Sequence, residues 1–269
     1  MTDSAGRRVA LPALPRRIVC LVPSVAEWLF ALGAGERLVG RTDYCDHPAE
    51  AAARPSVGGM VAPSLEAIVA LRPDLVVATD AGNRWETFAA LDALGIPVLS
   101  LHAARLREIA DVVHRLGALT EREAAVGPAL ARLERRVEDV RRAVAGRRRP
   151  RVLYVLWPEP LIVPGRDALV TELIDIAGGE SITRHERGDY PRFSLEAAVA
   201  RAPEVIVLAR HGTGSGPIDR ARWDRFGGLP AVREGRVHGV DGNLLHRWGP
   251  RVAEGLVVLA RVLHPEVVR

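Results

Sequence analysis

The segment SLEAIVALRPDLVV at residues 64–77 returns without a gap as SLEAAVARAPEVIV at residues 194–207. The offset is constant, because 194 − 64 = 130. In each copy a serine precedes an apolar-periodic stretch, which predicts a capped helix, and a proline then leads into an apolar run, which predicts a buried strand. Two interpretations are open: a common helix–proline–strand arrangement used twice, or two similar lobes. We favour two similar lobes.

Helical and strand-like stretches alternate on both sides of this repeat. At residues 17–22 an apolar run predicts a buried parallel strand, and the following helix has Ser24 and Glu27 at the spacing of a capping box. Between the halves, residues 121–145 carry apolar side chains three and four positions apart, which predicts one helix of about 25 residues. The sequence therefore predicts an α/β fold of two Rossmann-like lobes with mainly parallel sheets, bridged by one long α-helix. The predicted boundaries are 1–117 for the N-terminal lobe, 118–149 for the bridging helix and 150–269 for the C-terminal lobe.

Composition excludes several classes of protein. The 269 residues are 48% hydrophobic and 26% charged, which is too apolar and too weakly charged overall for a disordered chain. No apolar run reaches the roughly 18 residues that a membrane-spanning helix needs. The net charge of +4 comes from 37 basic residues, all arginine, scattered among 33 acids, so no basic face predicts a nucleic-acid partner.

Motifs for catalysis and metal binding are weak. The glycine-rich residues 212–216 lack the lysine of a phosphate-binding loop, and no G-x-S-x-G nucleophile elbow is present. The one dense polar group, residues 43–47, has two interpretations: a metal site, or a polar turn in which an aspartate bonds the backbone. We favour the turn, and we predict a protein that is not an enzyme, with no metal and no cofactor. Cys45 lies in this loop, whereas Cys20 is expected to be a small buried residue.

Aromatic residues make up only 4% of the chain, so their positions are informative. Five of them fall in predicted loops or just past strand ends: Tyr44, Trp85, Trp157, Tyr190 and Trp248. Ligands of open α/β sheets bind outside the carboxyl ends of the strands, so we predict that these five line one ligand-binding cleft. His246 and Arg247 adjoin Trp248 and are predicted to add polar contacts to the ligand.

Glu66 and Glu196 occupy equivalent positions of the repeat, each two residues after the predicted serine cap. An acidic side chain there complements the helix dipole, which is worth about 0.3 to 1 kcal/mol. The alternative is that the two acids form a docking site for a basic partner. Spacing alone does not choose between them.

Three stretches, taken together, resemble a known family. They are RIVCLVPSVAEWLFALG at residues 17–33, VGRTDYCDHP at residues 39–48, and the repeated SLE segment ending in PDLVV. With GGE at 178–180 and WGPR at 248–251, they are similar to the helical-backbone substrate-binding proteins of ABC importers, which carry cobalamin, ferric siderophores or haem. The segment DYCDHP is most similar to the cobalamin-binding branch.

The resemblance implies a function as well as a fold. It implies a monomer that binds cobalamin or a related corrinoid between two lobes and delivers it to the membrane subunits, with Glu66 and Glu196 docking on their arginines. Tyr44, Trp157 and Tyr190 match positions that press on the ligand in the cobalamin branch. The alternatives are a ferric siderophore or haem carrier of the same family, or a cytoplasmic corrinoid-handling enzyme.

The expected location follows from the same resemblance. Family members act outside the cytoplasmic membrane, so we expect an extracytoplasmic, periplasmic protein. The first residues have no apolar segment typical of a signal peptide, so the expectation becomes cytoplasmic if the start is genuine.

Overall fold

The computed structural model describes residues 1–210 and 221–266. The chain forms two compact units. Unit 1 comprises Met1–Ala103 and Arg107–Arg132, and unit 2 comprises Ala104–Leu106 and Leu133–Arg269.

Unit 1 is built on a four-stranded parallel sheet in the order β2-β1-β3-β4. Its strands are β1 (Ile18–Cys20), β2 (Leu38–Arg41), β3 (Leu75–Ala78) and β4 (Val98–Ser100). Strands β1, β3 and β4 are buried throughout, as their continuous apolar sequences predict for strands covered on both faces.

Unit 2 contains a second four-stranded parallel sheet, in the order β10-β9-β5-β8, and a two-stranded antiparallel hairpin, β6-β7. The strands are β5 (Arg151–Val155), β6 (Trp157–Pro158), β7 (Leu161–Ile162), β8 (Glu180–Ser181), β9 (Val205–Arg210) and β10 (Val237–Asp241). Strand β5 pairs with β9 in the same way that β1 pairs with β3, so the two sheets have equivalent strand orders.

Helices alternate with these strands. In chain order they are α1 (Pro23–Ala31), α2 (Ala49–Ala52), α3 (Leu65–Ala70), α4 (Trp85–Ala93), α5 (Leu106–Thr120), α6 (Glu123–Val144), α7 (Leu169–Ile176), α8 (Leu195–Ala200), α9 (Ala221–Asp224), α10 (Pro230–Arg233), α11 (Asn243–His246) and α12 (Val252–Leu263). Along the described part of the chain, no helix combines the length and the hydropathy required to cross a membrane. The α/β fold with parallel sheets in two units confirms the predicted fold class.

The repeat found in the sequence is a structural repeat. Ser64 and Ser194 are the N-caps of α3 and α8, and each hydroxyl accepts a hydrogen bond of 3.2 Å from the backbone N–H three residues later. After each helix a residue takes a left-handed backbone conformation, Arg72 with φ 47° and Ala202 with φ 44°. These two residues are also 130 positions apart, so the two lobes share local geometry as well as sequence.

The long helix α6 agrees closely with its prediction. It spans 22 residues, and its predicted apolar stripe is buried: Leu130, Leu133, Val137, Val140 and Val144 are each 8% exposed or less. The helix contributes residues to both units.

The predicted capping box at the start of α1 is wrong. Ser24 lies inside the helix, because Val22 is the N-cap and Pro23 takes the first helical position. Proline is well suited to that position, since its φ is preset and the missing N–H would have no partner inside the helix. Ser24 and Glu27 are instead buried, each 3% exposed.

Candidate functional site

The carboxyl edge of the unit 1 sheet presents two exposed aromatic side chains, Tyr44 and Trp85. Tyr44 follows β2 and is 57% exposed, and Trp85 begins α4 after β3 and is 52% exposed. Both were predicted from their positions beyond strand ends. In a parallel sheet these positions lie at the same edge, where α/β proteins bind ligands.

Trp85 is supported from within unit 1. Its ring packs on the buried Phe88 one turn along α4, with centroids 4.8 Å apart. The Arg7 guanidinium lies 5.6 Å from the Trp85 centroid and 4.8 Å from that of Phe88, within cation–π range. The indole is therefore held in one orientation, and about half of its surface stays available.

Asn83 organises the same edge and was missed from the sequence. It is 6% exposed; its side-chain carbonyl accepts from the Thr79 N–H at 2.8 Å, and its amide donates to the Met60 carbonyl at 2.6 Å. Two loops that are separate in sequence are thereby tied together. The only available signal was an amide side chain shortly after a buried strand, which is also typical of ordinary turns.

Unit 2 presents Trp157 at the corresponding edge. It follows β5 in the β6-β7 hairpin and is 49% exposed. Its indole N–H donates to the Glu159 carbonyl at 3.0 Å, and Arg222 pairs with the Glu159 carboxylate at 2.6 Å. The polar edge of the indole is satisfied inside the hairpin, so what remains for a ligand is mainly its apolar ring.

Tyr190 and His246 meet in unit 2. Tyr190 is 37% exposed, and its ring stands edge-on to the His246 ring with centroids 6.2 Å apart. His246 Nε2 lies 2.7 Å from the hydroxyl of the fully buried Tyr154. Burial raises the pKa of both phenols, and Asp189 raises that of Tyr190 further. Both tyrosines therefore stay neutral at physiological pH.

Trp248, which was predicted to line the cleft, is buried. Only 5% of its surface is accessible, whereas the other four aromatic residues are exposed, and its contact with a ligand stays a prediction. The neighbouring Arg247 is partly buried and donates to the Asn243 side-chain oxygen at 3.0 Å.

The dense polar segment at residues 43–47 forms a turn. The Cys45 N–H donates to the Thr42 carbonyl at 3.0 Å, and the Asp43 N–H donates to the Gly58 carbonyl at 2.9 Å. Cys45, expected in a polar loop, is fully buried with Cys20, and burial raises the pKa of the Cys20 thiol. In residues 1–210 and 221–266, no three His, Cys, Asp or Glu side chains are grouped to hold a metal ion. The glycine-rich residues 212–216 lie outside the described residues.

Glu66 and Glu196 are both exposed in the first turn of a helix, α3 and α8 respectively. Their settings differ in one respect. The Ser194 hydroxyl donates to the Glu196 carboxylate at 2.6 Å and lowers its pKa. Both carboxylates are open to solvent, which the docking role requires.

Comparisons of the sequence with protein families and with known proteins point to the same family. Residues 18–244 match the family described as periplasmic binding protein. A vitamin B12-binding protein of Vibrio cholerae is 29% identical over 248 residues, covering 92% of this chain and 89% of the relative.

Solved structures agree. The crystal structure of the periplasmic vitamin B12 binding protein of Vibrio cholerae superposes with a TM-score of 0.81 at 27% identity, covering 94% of this chain and 98% of that one. A periplasmic haem-binding protein from Pseudomonas aeruginosa gives a TM-score of 0.84 at 28% identity, with 94% of each chain covered. Such proteins are not enzymes, and they carry a transported ligand rather than a cofactor. With 227 of its 269 residues inside the matched region (244 − 18 + 1 = 227), the chain belongs to the periplasmic binding protein family.

Proposed function

We propose that this chain is the substrate-binding protein of an ABC importer and that its ligand is cobalamin or a related corrinoid. The observation that carries the proposal is the set of four exposed aromatic residues, two in each unit, in a chain that is only 4% aromatic. These rings lie beyond the carboxyl ends of the strands, where α/β folds bind their ligands, and an aromatic surface suits a broad, partly apolar ligand. The named vitamin B12-binding relatives support the choice of ligand.

The chemistry of the proposed contacts suits a corrinoid. Tyr44, Trp85, Trp157 and Tyr190 supply apolar ring surface for a broad macrocycle, and Arg247 supplies a hydrogen-bond donor for the amide groups at its periphery. Since the indole N–H of Trp157 is already bonded within its hairpin, that residue contributes contact area rather than polar recognition.

Haem is the second candidate, because haem-binding proteins are among the similar solved structures. A haem has the same breadth as a corrin but carries carboxylates where cobalamin carries amides. Titration of the purified chain with cyanocobalamin, haemin and a ferric hydroxamate siderophore, followed by tryptophan fluorescence and calorimetry, separates the three. We expect the tightest binding with cyanocobalamin. Tighter binding of haemin would move the assignment to haem, and binding of none of the three would overturn the proposal.

Docking on the importer is proposed for Glu66 and Glu196. The support is their equivalence in the repeat and their exposure in the first turn of a helix. A carboxylate of this kind forms a charge-assisted, bidentate pair with an arginine of a partner. Mutation of both, with uptake as the measurement, tests this role.

We further propose that the chain acts as a monomer in the periplasm, without a nucleic-acid partner. The support is that the named relatives are periplasmic and that basic and acidic residues are intermixed along this sequence. Fractionation of cells expressing the native gene, followed by size-exclusion chromatography, measures location and oligomeric state. A cytoplasmic protein, or a stable dimer, would contradict it.

A further inference from the structure

A hydrogen-bonded pair lies behind the exposed ring of Tyr190. Tyr154 stands on the central strand β5 and is completely buried, and its hydroxyl lies 2.7 Å from His246 Nε2. The two rings are nearly perpendicular, at 80° with centroids 5.6 Å apart. A buried phenol without a partner is costly, so this bond fixes where the imidazole of α11 must lie.

The position of His246 is constrained from a second side by Gly242. A Cβ at residue 242 would lie 2.7 Å from Cε1 and 3.0 Å from Nδ1 of the His246 ring, and 2.9 Å from the Arg210 carbonyl. The backbone of Gly242 is right-handed helical, with φ −62°, so its conformation alone does not demand glycine. Glycine is needed at this position because the imidazole lies against the backbone.

The same imidazole also meets Tyr190. The rings stand at 77° with centroids 6.2 Å apart, an edge-to-face contact of the kind that aromatic pairs prefer. Tyr190 comes from the loop between β8 and α8 and has no regular secondary structure of its own. Its orientation therefore depends on the side chains that touch it.

We propose that His246 is a positioning residue: bonded to Tyr154 and seated on Gly242, it holds the Tyr190 ring in the orientation that contacts the ligand. The inference rests on the proposed function, since it takes Tyr190 as a ligand contact. It differs from the sequence-based prediction, in which His246 itself contacts the ligand. A polar pair with one fully buried partner suits this task, because a hydrogen bond specifies one geometry where apolar packing tolerates several.

A double-mutant cycle tests the coupling. The full-length chain is prepared as wild type, Tyr154→Phe, Tyr190→Ala and the double variant, and titrated calorimetrically with cyanocobalamin and with haemin. We expect Tyr154→Phe to weaken binding about three- to tenfold, within the range found for coupled neighbours, and less than twofold when Tyr190→Ala is also present. An unchanged affinity, or an equal loss in both backgrounds, would overturn the inference.

A second measurement needs no ligand. The chain has three tyrosines, so ring-labelled tyrosine gives three sets of NMR signals. His246→Gln keeps a hydrogen-bonding partner for the Tyr154 hydroxyl but removes the ring that meets Tyr190, and Gly242→Ala displaces that ring. In both variants we expect the Tyr190 signals to shift while those of Tyr44, which belongs to unit 1, stay in place. Unshifted Tyr190 signals would contradict the positioning role of His246. Failure of the wild type to bind either probe would count against the proposed function alone.

Discussion

Replacing Trp157 by alanine probes the proposed ligand surface most directly. A free tryptophan side chain has about 250 Å² of surface, so its 49% exposure leaves roughly 120 Å² for a ligand. A macrocycle covering about two thirds of that area removes roughly 80 Å² from water. At about 25 cal/mol per Å², this burial is worth about 2 kcal/mol, and its loss raises Kd about 30-fold.

The folded state should tolerate this change, because the side chain is half in solvent and its hydrogen bond stays within one hairpin. Isothermal titration with cyanocobalamin gives Kd, and thermal unfolding checks stability. Leu94→Ala is the matched control, since Leu94 is 56% exposed but ends α4 at the opposite, amino edge of the unit 1 sheet. We expect the control to bind cyanocobalamin with a Kd within twofold of the wild type. If Trp157→Ala also binds within twofold of the wild type, the exposed indole ring does not contribute to ligand binding.

Three further predictions concern charge and burial. Changing Glu66 and Glu196 together to alanine should leave the Kd for the ligand within about twofold but reduce ATP-driven uptake, because charges at the rim of an interface act mainly on association with the partner. Normal uptake, with a loss of at most about 2 kcal/mol in the free energy of unfolding, would leave only the helix-dipole role. Partial burial alone would raise the pKa of Glu204, but hydrogen bonds from Arg151 N–H and an arginine side chain lower it overall from 4.5. Its stabilising contribution is therefore present above pH 4.5 and lost as the pH falls through the lower folded pKa. Glu204→Gln should lower the free energy of unfolding by roughly 1 kcal/mol near neutral pH. It should also make the stability fall less steeply as the pH is lowered; the same slope in variant and wild type would contradict this. Finally, Cys20 should react with a thiol reagent at pH 8 only after denaturation, since burial raises its pKa; rapid labelling of the native protein would show that the thiol is accessible.

Most of the fold could be predicted because the signals for it are local. The serine N-caps of α3 and α8 are predicted from a few neighbouring residues. The apolar stripe of α6 is predicted from apolar residues spaced three and four positions apart. Where two local signals competed, sequence reasoning chose wrongly. Ser24 looked like a cap, but the preceding Pro23 took the first helical position.

The candidate site was harder to predict, because its side chains depend on contacts between distant segments. Position beyond a strand end selected Tyr44, Trp85, Trp157 and Tyr190, and all four are exposed. The same criterion also selected Trp248, which is buried, since position along the chain does not say which way a side chain turns.

Hydrogen bonds between residues far apart in the chain could not be predicted from the sequence. Asn83 reaches the Met60 carbonyl across 23 positions, and Tyr154 meets His246 across 92. No local pattern marks such pairs, because the partners become neighbours only when the sheet assembles.

The two sheets are most alike at their amino edges. Arg17 donates its Nε–H to the carbonyl of the left-handed residue Arg72 at 3.0 Å, and Arg151 does the same to Ala202 at 3.1 Å. A carboxylate then accepts from the backbone N–H at each strand start, Asp74 in unit 1 and the equivalent glutamate in unit 2.

At the carboxyl edges the resemblance ends. Unit 1 has the Asn83–Met60 tie beneath Trp85, whereas unit 2 has a hairpin carrying Trp157 and the Tyr154–His246 pair. A contact that only holds a strand in register serves the same purpose in both units, so both copies of the repeat can keep the same residues for it. A ligand without matching halves needs different contacts from each copy, so the residues that recognise it are expected where the repeat fails. By this reasoning the breakdown of the 130-residue repeat is itself a guide to the binding surface, independent of aromatic content and of similarity to other proteins.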